Sequence, residues 1–195
     1  MVQSVLAGKE MKVETGHSKL TYDDLAALPD DNLRHEIIDG VHYVTPAPVT
    51  KHQRISRELL YLLVQFLKAH PLGEIFCAPF DVVLSMYDVV EPDLVYLSNE
   101  RASLLTEKNL QGAPDLVVEI LSPGTSRRDV GIKRDLYERS GVREYWVIDP
   151  ELEAVTVHRR DGDRLNALDV LTREANGVVT SPLLPGFEAP LRAIF

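Results

Sequence analysis

The chain has 195 residues, enough for one domain with a substantial core, and its 45% hydrophobic and 26% charged residues are ordinary for a soluble globular protein. The formal net charge of −9 argues against nucleic-acid binding through overall basicity but does not exclude a locally basic groove. The single cysteine, Cys77, excludes a disulfide framework and predicts a cytoplasmic location. No stretch approaches the roughly 20 apolar residues that span a bilayer, so we expect no membrane association.

The N-terminal part of the chain contains an irregular segment followed by a helix signal. Residues 1–18 show no periodicity and are predicted to form a loose arm before a single domain of residues 19–195. At the start of this domain Thr21 is followed three residues later by Asp24, which resembles a capping box. The pattern predicts a short helix from Thr21 to Leu28.

The next two elements are indicated by turn chemistry and by hydrophobic periodicity. Asp39-Gly40 lies between two β-prone runs, which predicts a hairpin that pairs Ile38 with Val41. After two prolines, a helix is predicted over Thr50–Ala69, because apolar residues recur there at spacings of three and four. These residues are Ile55, Leu59, Leu62, Leu63 and Phe66.

The middle of the chain alternates between predicted strands and helices. Strands are expected over Glu74–Leu84, Val89–Leu97 and Asp115–Leu121, and helices over Arg101–Leu110 and from about residue 126 to Ser140. Shorter strands follow at Glu144–Ile148, Ala154–His158, Leu168–Thr172 and Val178–Ser181. Strands flanked by helices, with hairpins among them, predict an α/β or α+β fold around a mixed β-sheet.

Glu119 is the residue that points most directly to a function. It lies within the apolar run of the Asp115–Leu121 strand, where burial of an unpaired charge costs several kcal/mol. Asp115 shares its face of the strand, but four residues of strand separate the two by about 13 Å. Asp115 and Glu119 are therefore a poor pair for a single metal ion.

Asp93 is the better partner for Glu119, because it belongs to a separate predicted strand that could lie alongside. The 25 residues between the two leave room for a connecting helix. Carboxylates on two adjacent strands could then hold one cation. The alternative is that Asp93 lies in an acidic turn and that Glu119 pairs with an arginine.

Lys133 is a candidate for the same site, since it lies on the helix that follows the Glu119 strand. Asp129 and Tyr137, four residues away on either side, share its helix face. If this helix returns across the strand, the lysine reaches the carboxylates. Otherwise Lys133 is a solvated residue on a charged helix.

Together these segments resemble the Uma family of putative restriction endonucleases, a branch of the PD-(D/E)XK phosphodiesterase superfamily. The resemblance covers roughly residues 22–158 and preserves order and spacing. It is carried by Glu36-Ile37-Ile38-Asp39-Gly40, His52, Pro92-Asp93-Leu94-Val95, Ala113-Pro114-Asp115-Leu116-Val117-Val118-Glu119-Ile120-Leu121-Ser122-Pro123, Asp129, Lys133, Tyr137 and Gly141-Val142-Arg143-Glu144-Tyr145-Trp146-Val147-Ile148-Asp149-Pro150.

The resemblance implies a restriction-endonuclease-like fold, a mixed β-sheet flanked by helices, with one or two Mg²⁺ ions at the active site. Asp93 and Glu119 would be catalytic residues and metal ligands, and the backbone carbonyl of Ile120 would supply a further ligand. Glu36 matches the early glutamate of the family and would bind or orient the metal or its water. The alternative interpretation is that Glu36 is a solvent-facing residue of the hairpin. Hard carboxylate oxygens suit Mg²⁺ or Mn²⁺.

The sequence departs from the superfamily pattern at Leu121, where a lysine is expected two residues after the glutamate. The resemblance implies that Lys133 substitutes for it from the following helix, orienting the attacking water and stabilising charge on the phosphate. Tyr137 and His52 are interpreted as packing or hydrogen-bonding partners. The candidates for phosphate contacts are Lys51, Arg54, Arg57, Arg127, Arg128 and Arg134.

The resulting hypothesis is a Mg²⁺-dependent endonuclease that hydrolyses DNA, with a homodimer expected because two sites related by a two-fold axis can cut both strands of a duplex. RNA and branched DNA are alternative substrates. A different class of function also fits the sequence. The chain could be an inactive nucleic-acid or protein-binding module that retains the fold, which Leu121 and the acidic net charge favour.

Overall fold

The computed structural model describes residues 11–13, 19–29, 31, 33–45, 47–122 and 127–195, and of residues 11–13 and 127–129 the backbone alone. Within these ranges the chain forms two six-stranded sheets, a two-stranded ribbon and helices that flank them. The prediction of mixed β-structure flanked by helices is confirmed. No helix in the described ranges is long and apolar enough to span a membrane.

The first sheet contains the N-terminal hairpin and short strands from the middle of the chain. In spatial order its strands are β1 (Met11–Val13), β3 (Val41–Thr45), β2 (Arg34–Ile38), β6 (Asp88–Val90), β5 (Val82–Ser85) and β8 (Leu110–Gln111). The hairpin register is the predicted one, with Ile38 opposite Val41 and Glu36 opposite Tyr43. The turn residues Asp39 and Gly40 both have positive φ, which a two-residue hairpin turn of this kind requires.

The second sheet contains the longer and more deeply buried strands. In spatial order they are β12 (Arg164–Thr172), β11 (Ala154–Asp161), β10 (Glu144–Asp149), β9 (Leu116–Ile120), β7 (Leu94–Ser98) and β4 (Gly73–Cys77). The strand β9 lies at its centre, parallel to β10 and antiparallel to β7. Every residue of β9 is buried, as its apolar run predicts.

Four α-helices and a ribbon complete the described structure. They are α1 (Tyr22–Ala26), α2 (Thr50–Ala69), α3 (Arg127–Ser140), α4 (Leu191–Ile194) and the ribbon β13 (Val178–Ser181) with β14 (Leu184–Pro190). The capping box is present, since Thr21 accepts a hydrogen bond from the backbone of Asp24 and the Asp24 side chain accepts one from Thr21. The helix α2 has the predicted bounds, and α3 ends before Gly141, whose φ of 90° favours glycine.

The second sheet separates two hydrophobic clusters, because alternate residues of each strand point to opposite faces. On one face Val118 and Ile120 pack with Leu59 and Leu63 of α2. On the other, Val117 packs in the cluster that includes α3 and residues of the first sheet. Glu119 shares the alternation of Val117 and therefore lies on the α3 side.

Two predicted strands are each two strands, and here the prediction was wrong. Glu74–Leu84 divides into β4 and β5, and Val89–Leu97 divides into β6 and β7, with each pair split between the two sheets. Pro79 and Pro92 lie in the breaks, where their missing N–H groups cannot continue a ladder. The chain therefore crosses between the sheets twice, once around Pro79 and once around Pro92.

The helix predicted over Arg101–Leu110 is also wrong. A 3₁₀ helix, Asn99–Leu104, is followed by a turn and by β8. In the turn the Thr106 hydroxyl accepts hydrogen bonds from the backbone N–H groups of Lys108 and Asn109. Local side-chain bonds of this kind compete with a helix. No long helix is needed between Asp93 and Glu119, because β7 and β9 pair antiparallel.

The two ends of the chain add structure that the sequence patterns did not indicate. Within the predicted arm, Met11–Val13 pairs with β3, and the rest of residues 1–18 lies outside the described residues. At the C-terminus β14 and α4 were not predicted, and β12 begins earlier than expected. Phe187 of β14 and Leu191 and Ile194 of α4 belong to the core cluster beneath α2.

Candidate active site

The predicted site residues lie together where the two sheets meet. Glu36 comes from β2 of the first sheet and Glu119 from β9 of the second, while Asp93 lies on the crossing segment between β6 and β7. Lys133 comes from α3. All four residues line a single pocket. The fold therefore brings together side chains that are up to 97 positions apart in the sequence.

Glu119 is buried on the α3 side of the second sheet, with 9% of its surface exposed. Its Oε1 accepts hydrogen bonds from the Tyr137 hydroxyl at 2.6 Å and from Lys133 Nζ at 3.1 Å. Burial raises the pKa of Glu119 to about 7, with Lys133 opposing the shift and Glu36 and Asp93 adding to it. The carboxyl group is thus poised to ionise near neutral pH.

Lys133 lies in the same pocket as Leu121 and pairs with two carboxylates. Its ammonium group lies 3.1 Å from Glu119 and 2.9 Å from Glu36, and 13% of the side chain is exposed. The alternative of a solvated lysine on a charged helix therefore does not describe this residue. Leu121 lines the same pocket, but the positive charge arrives from α3 instead of from β9.

Asp93 is held by three donors. Arg34 Nη1 lies 2.7 Å from Oδ1, while Oδ2 accepts hydrogen bonds from His52 Nε2 at 3.0 Å and from the Ile120 backbone N–H at 2.8 Å. Burial alone would raise the pKa of Asp93, but these hydrogen bonds and the charges of His52 and Arg34 lower it below its ordinary value. Asp93 is therefore ionised at neutral pH.

Glu36 completes the set of buried carboxylates, with 2% of its surface exposed, which excludes the solvent-facing hairpin alternative. Its Oε1 accepts a hydrogen bond from the Glu91 backbone N–H at 2.9 Å, and its carboxylate pairs with Lys133. The Glu91 side chain lines the same pocket. Burial, followed by the charges of Asp81 and Glu36, raises the pKa of Glu91 to about 7 against the opposing charge of Arg34.

The sequence predicted Tyr137 and His52 to be packing or hydrogen-bonding partners, and each forms a hydrogen bond with one of the candidate carboxylates. The prediction missed Arg34 and Glu91. Arg34 is two residues from Glu36, and since side chains two apart share a strand face, this spacing was a usable signal. Glu91 had a similar signal, being two residues before Asp93.

The alternative pairing also has a clear outcome. An arginine does pair with one of the two acidic residues, but that residue is Asp93, while the cation beside Glu119 is a lysine.

Most of the described candidates for phosphate contacts form ion pairs at the surface. Lys51 pairs with Glu151, Arg57 with Glu58 and Arg134 with Asp135; the side chains of Arg127, Arg128 and Asp129 lie outside the described residues.

The residues present fit a divalent cation by their chemistry. Among the described residues no group of three His, Cys, Asp or Glu side chains is arranged to hold a metal ion. Within the pocket the Lys133 ammonium pairs with both Glu36 and Glu119. Three carboxylates supply the hard oxygen ligands that Mg²⁺ prefers.

Residues 22–192 match the Uma2 family, described as "Putative restriction endonuclease", and the chain belongs to this family. A crystal structure at 1.96 Å of a putative nuclease belonging to DUF820, from Anabaena variabilis ATCC 29413, has the same fold. It superposes with a TM-score of 0.76 at 23% identity, covering 90% of this chain and 97% of that chain. No curated protein matches the chain.

Proposed function

We propose that this chain is an endonuclease that hydrolyses phosphodiester bonds in DNA with a water activated by Mg²⁺, or alternatively by Mn²⁺. The observation that carries the proposal is the position of Lys133 between Glu36 and Glu119. From there Lys133 can supply the positive charge of the lysine that the superfamily pattern expects at position 121, where this sequence has Leu121. A positive charge beside two buried carboxylates is the arrangement that this chemistry needs.

Four groups of the pocket would hold the metal. They are the carboxylates of Glu36, Asp93 and Glu119 and the backbone carbonyl of Ile120. When bound, Mg²⁺ supplies a water of lowered pKa and positive charge against the scissile phosphate. A bound cation would favour the ionised form of Glu119, whose pKa is raised to about 7 by burial.

The chain's own residues then orient the reacting groups. Lys133 orients the attacking water and stabilises the negative charge that develops on the phosphate. Tyr137 fixes Glu119 through its hydrogen bond of 2.6 Å, and His52 fixes Asp93 through one of 3.0 Å. Both partners are buried, so they hold their carboxylates without competition from solvent.

A second candidate function is a catalytically inactive module that binds nucleic acid or protein. It is favoured by Leu121 and by the occupied oxygens of Asp93, which Arg34, His52 and Ile120 hold through hydrogen bonds. Isothermal titration calorimetry separates the two candidates. Absence of Mg²⁺ or Mn²⁺ uptake at millimolar concentration would favour the inactive module.

A cleavage assay tests the leading proposal. Supercoiled, linear, single-stranded and branched DNA, together with RNA, are incubated with Mg²⁺ or Mn²⁺ and the parent protein, Glu119→Gln or Lys133→Ala. We expect cleavage of DNA by the parent and a loss of at least 100-fold in both variants, because each removes a charge that acts on the phosphate or its water.

Two exposed positions supply matched controls for these variants. Glu151→Gln and Lys68→Ala remove the same charges at the surface and should leave cleavage unchanged. Circular dichroism checks that each variant folds. Undiminished cleavage by folded Glu119→Gln would disprove the assignment of the site. Preferential cleavage of RNA would show that RNA is the substrate in place of DNA.

We also propose a homodimer, since two active sites related by a two-fold axis can cleave both strands of a duplex. Multi-angle light scattering of the purified protein should give twice the mass of the chain. A mass equal to one chain over the concentration range of the cleavage assay would contradict the homodimer.

A further inference from the structure

Arg34 is a partly exposed cation of the pocket that makes few hydrogen bonds to the described residues. Its side chain lines the pocket and keeps 22% of its surface exposed. Among the described residues its guanidinium donates one hydrogen bond, from Nη1 to Asp93 Oδ1 at 2.7 Å. A guanidinium carries five N–H donors, so most of them remain available to a ligand.

The other cation of the pocket is already neutralised. Lys133 lies within 3.1 Å of both Glu36 and Glu119, and its charge is shared between them. Burial would lower the pKa of Arg34, but the charges of Asp93, Glu119 and Glu36 raise it, so the guanidinium stays charged. Among the residues that the structure describes, a polyanion that approaches the pocket therefore meets Arg34 as a cation with donors still available.

The planar guanidinium of Arg34 also has the right shape to bind a phosphate. One of its nitrogens is fixed by Asp93, and this ion pair holds the plane in place. The remaining edge can donate two parallel hydrogen bonds, which match two oxygens of a phosphate. An ammonium group in the same position would offer a point charge without this fork.

We propose that Arg34 binds a phosphate of the DNA substrate at the active site, with one edge of its guanidinium on Asp93 and the other on non-bridging phosphate oxygens. The inference rests on the proposed function and adds a substrate-binding residue to it. Arg34 thereby couples the position of Asp93 to the position of the phosphate.

Salt-dependent DNA binding tests the contact. Fluorescence anisotropy of a labelled duplex oligonucleotide in Ca²⁺ buffer is measured over a range of salt concentrations for the parent, Arg34→Gln, Arg34→Lys and Arg173→Gln. We expect Arg34→Gln to bind about tenfold more weakly, because a charge-assisted hydrogen bond is lost. The slope of log K against log salt should fall by about one in magnitude, since one phosphate contact disappears.

The other two variants separate binding from a structural role. Arg34→Lys keeps the charge beside Asp93, so it should keep the parent's salt slope but bind more weakly than the parent. Arg173, an exposed residue paired with Glu153, lies outside the pocket, and its replacement should change neither quantity. Thermal melting confirms that each variant is folded under the assay conditions.

The inference is overturned if Arg34→Gln keeps the parent's slope, if Arg173→Gln lowers the slope equally, or if the parent does not bind the duplex. Cleavage measured on the same samples with Mg²⁺ reports on the proposed function separately. An Arg34-dependent slope without cleavage would leave the phosphate contact standing and disprove the nuclease. Cleavage by the parent with an unchanged slope in Arg34→Gln would support the nuclease and disprove the phosphate contact of Arg34.

Discussion

At the scale of single residues, the pocket concentrates carboxyl groups whose ionisation depends on the surrounding cations. Asp93 has three donors and a lowered pKa, whereas Glu119 and Glu91 have pKa values raised to about 7. Burial alone would raise all three pKa values, but for Asp93 the hydrogen bonds and the charges of His52 and Arg34 outweigh burial, whereas neighbouring carboxylates add to the rise for Glu119 and Glu91. The charge of the pocket therefore changes near neutral pH as Glu119 and Glu91 ionise.

Glu91 gives a prediction about stability and pH. The pKa of Glu91 is 4.5 in the unfolded chain and about 7 in the folded protein. Between pH 4.5 and pH 7 the folded protein therefore keeps a proton on this carboxyl that the unfolded chain releases. The free energy of unfolding therefore falls as the pH rises through this window. The full shift would cost the parent about 3 kcal/mol relative to Glu91→Gln between pH 4.5 and pH 8, and because solvent screens the partly exposed carboxyl we expect a loss of about 2 kcal/mol.

Urea denaturation of both proteins across this pH range measures the difference. Glu151→Gln, at an exposed position with 75% of its side chain accessible, serves as the control and should follow the parent. Parallel pH profiles for the parent and Glu91→Gln would show that the Glu91 carboxyl does not have a raised pKa.

At the scale of elements, the site depends on how the hairpin and the sheet crossing are fixed. The β2–β3 hairpin sets the position of Glu36 through its register, and the Gly40 carbonyl accepts a hydrogen bond from Leu20. The break at Pro92 lets Asp93 leave the first sheet and reach Ile120 of the second. Short, locally determined features thus position residues that act together.

The hairpin turn yields a prediction with an internal control. Gly40 has a φ of 76°, and an added Cβ would lie 2.4 Å from Lys19 Cβ and 2.9 Å from its Cα. Gly162 also has positive φ, but no described atom lies within 4 Å of its added Cβ. We expect Gly162→Ala to cost about 1 kcal/mol, from backbone strain alone, and Gly40→Ala to cost about 2–3 kcal/mol.

Guanidinium denaturation of the two alanine variants gives their free energies of unfolding relative to the parent. Equal losses in the two variants would mean that the close approach of Lys19 to the turn contributes nothing. A larger loss in Gly162→Ala would contradict the described packing at both turns.

At the scale of the whole molecule, folding itself assembles the site, because each sheet supplies part of it. A cation that binds the assembled carboxylates stabilises the folded chain but finds no comparable site in the unfolded one. We expect Mg²⁺ at ten times its Kd to stabilise the parent by about 1.4 kcal/mol, or roughly 3–5 °C in Tm.

Differential scanning fluorimetry with and without Mg²⁺ measures this shift. Glu119→Gln should show a much smaller one, since it removes one proposed ligand. The same shift in the parent and in Glu119→Gln would place the Mg²⁺ effect elsewhere on the protein. No shift at millimolar Mg²⁺ would argue for the inactive-module alternative.

The sequence by itself determined the features whose physics is local. The capping box at Thr21, the Asp39-Gly40 turn and the periodic face of α2 are each decided by neighbouring residues, and all three are present as predicted. The burial of Glu119 also followed from the apolar run around it.

Tertiary structure decided what depends on distant partners. The sequence patterns did not show that two predicted strands divide between two sheets, or that Thr106 closes a turn in place of a helix. The roles of Arg34 and Glu91 in the pocket were likewise hidden, because their partners lie on other elements. Periodicity reports which face of an element is buried, but only the packing of the two sheets decides which charged groups meet.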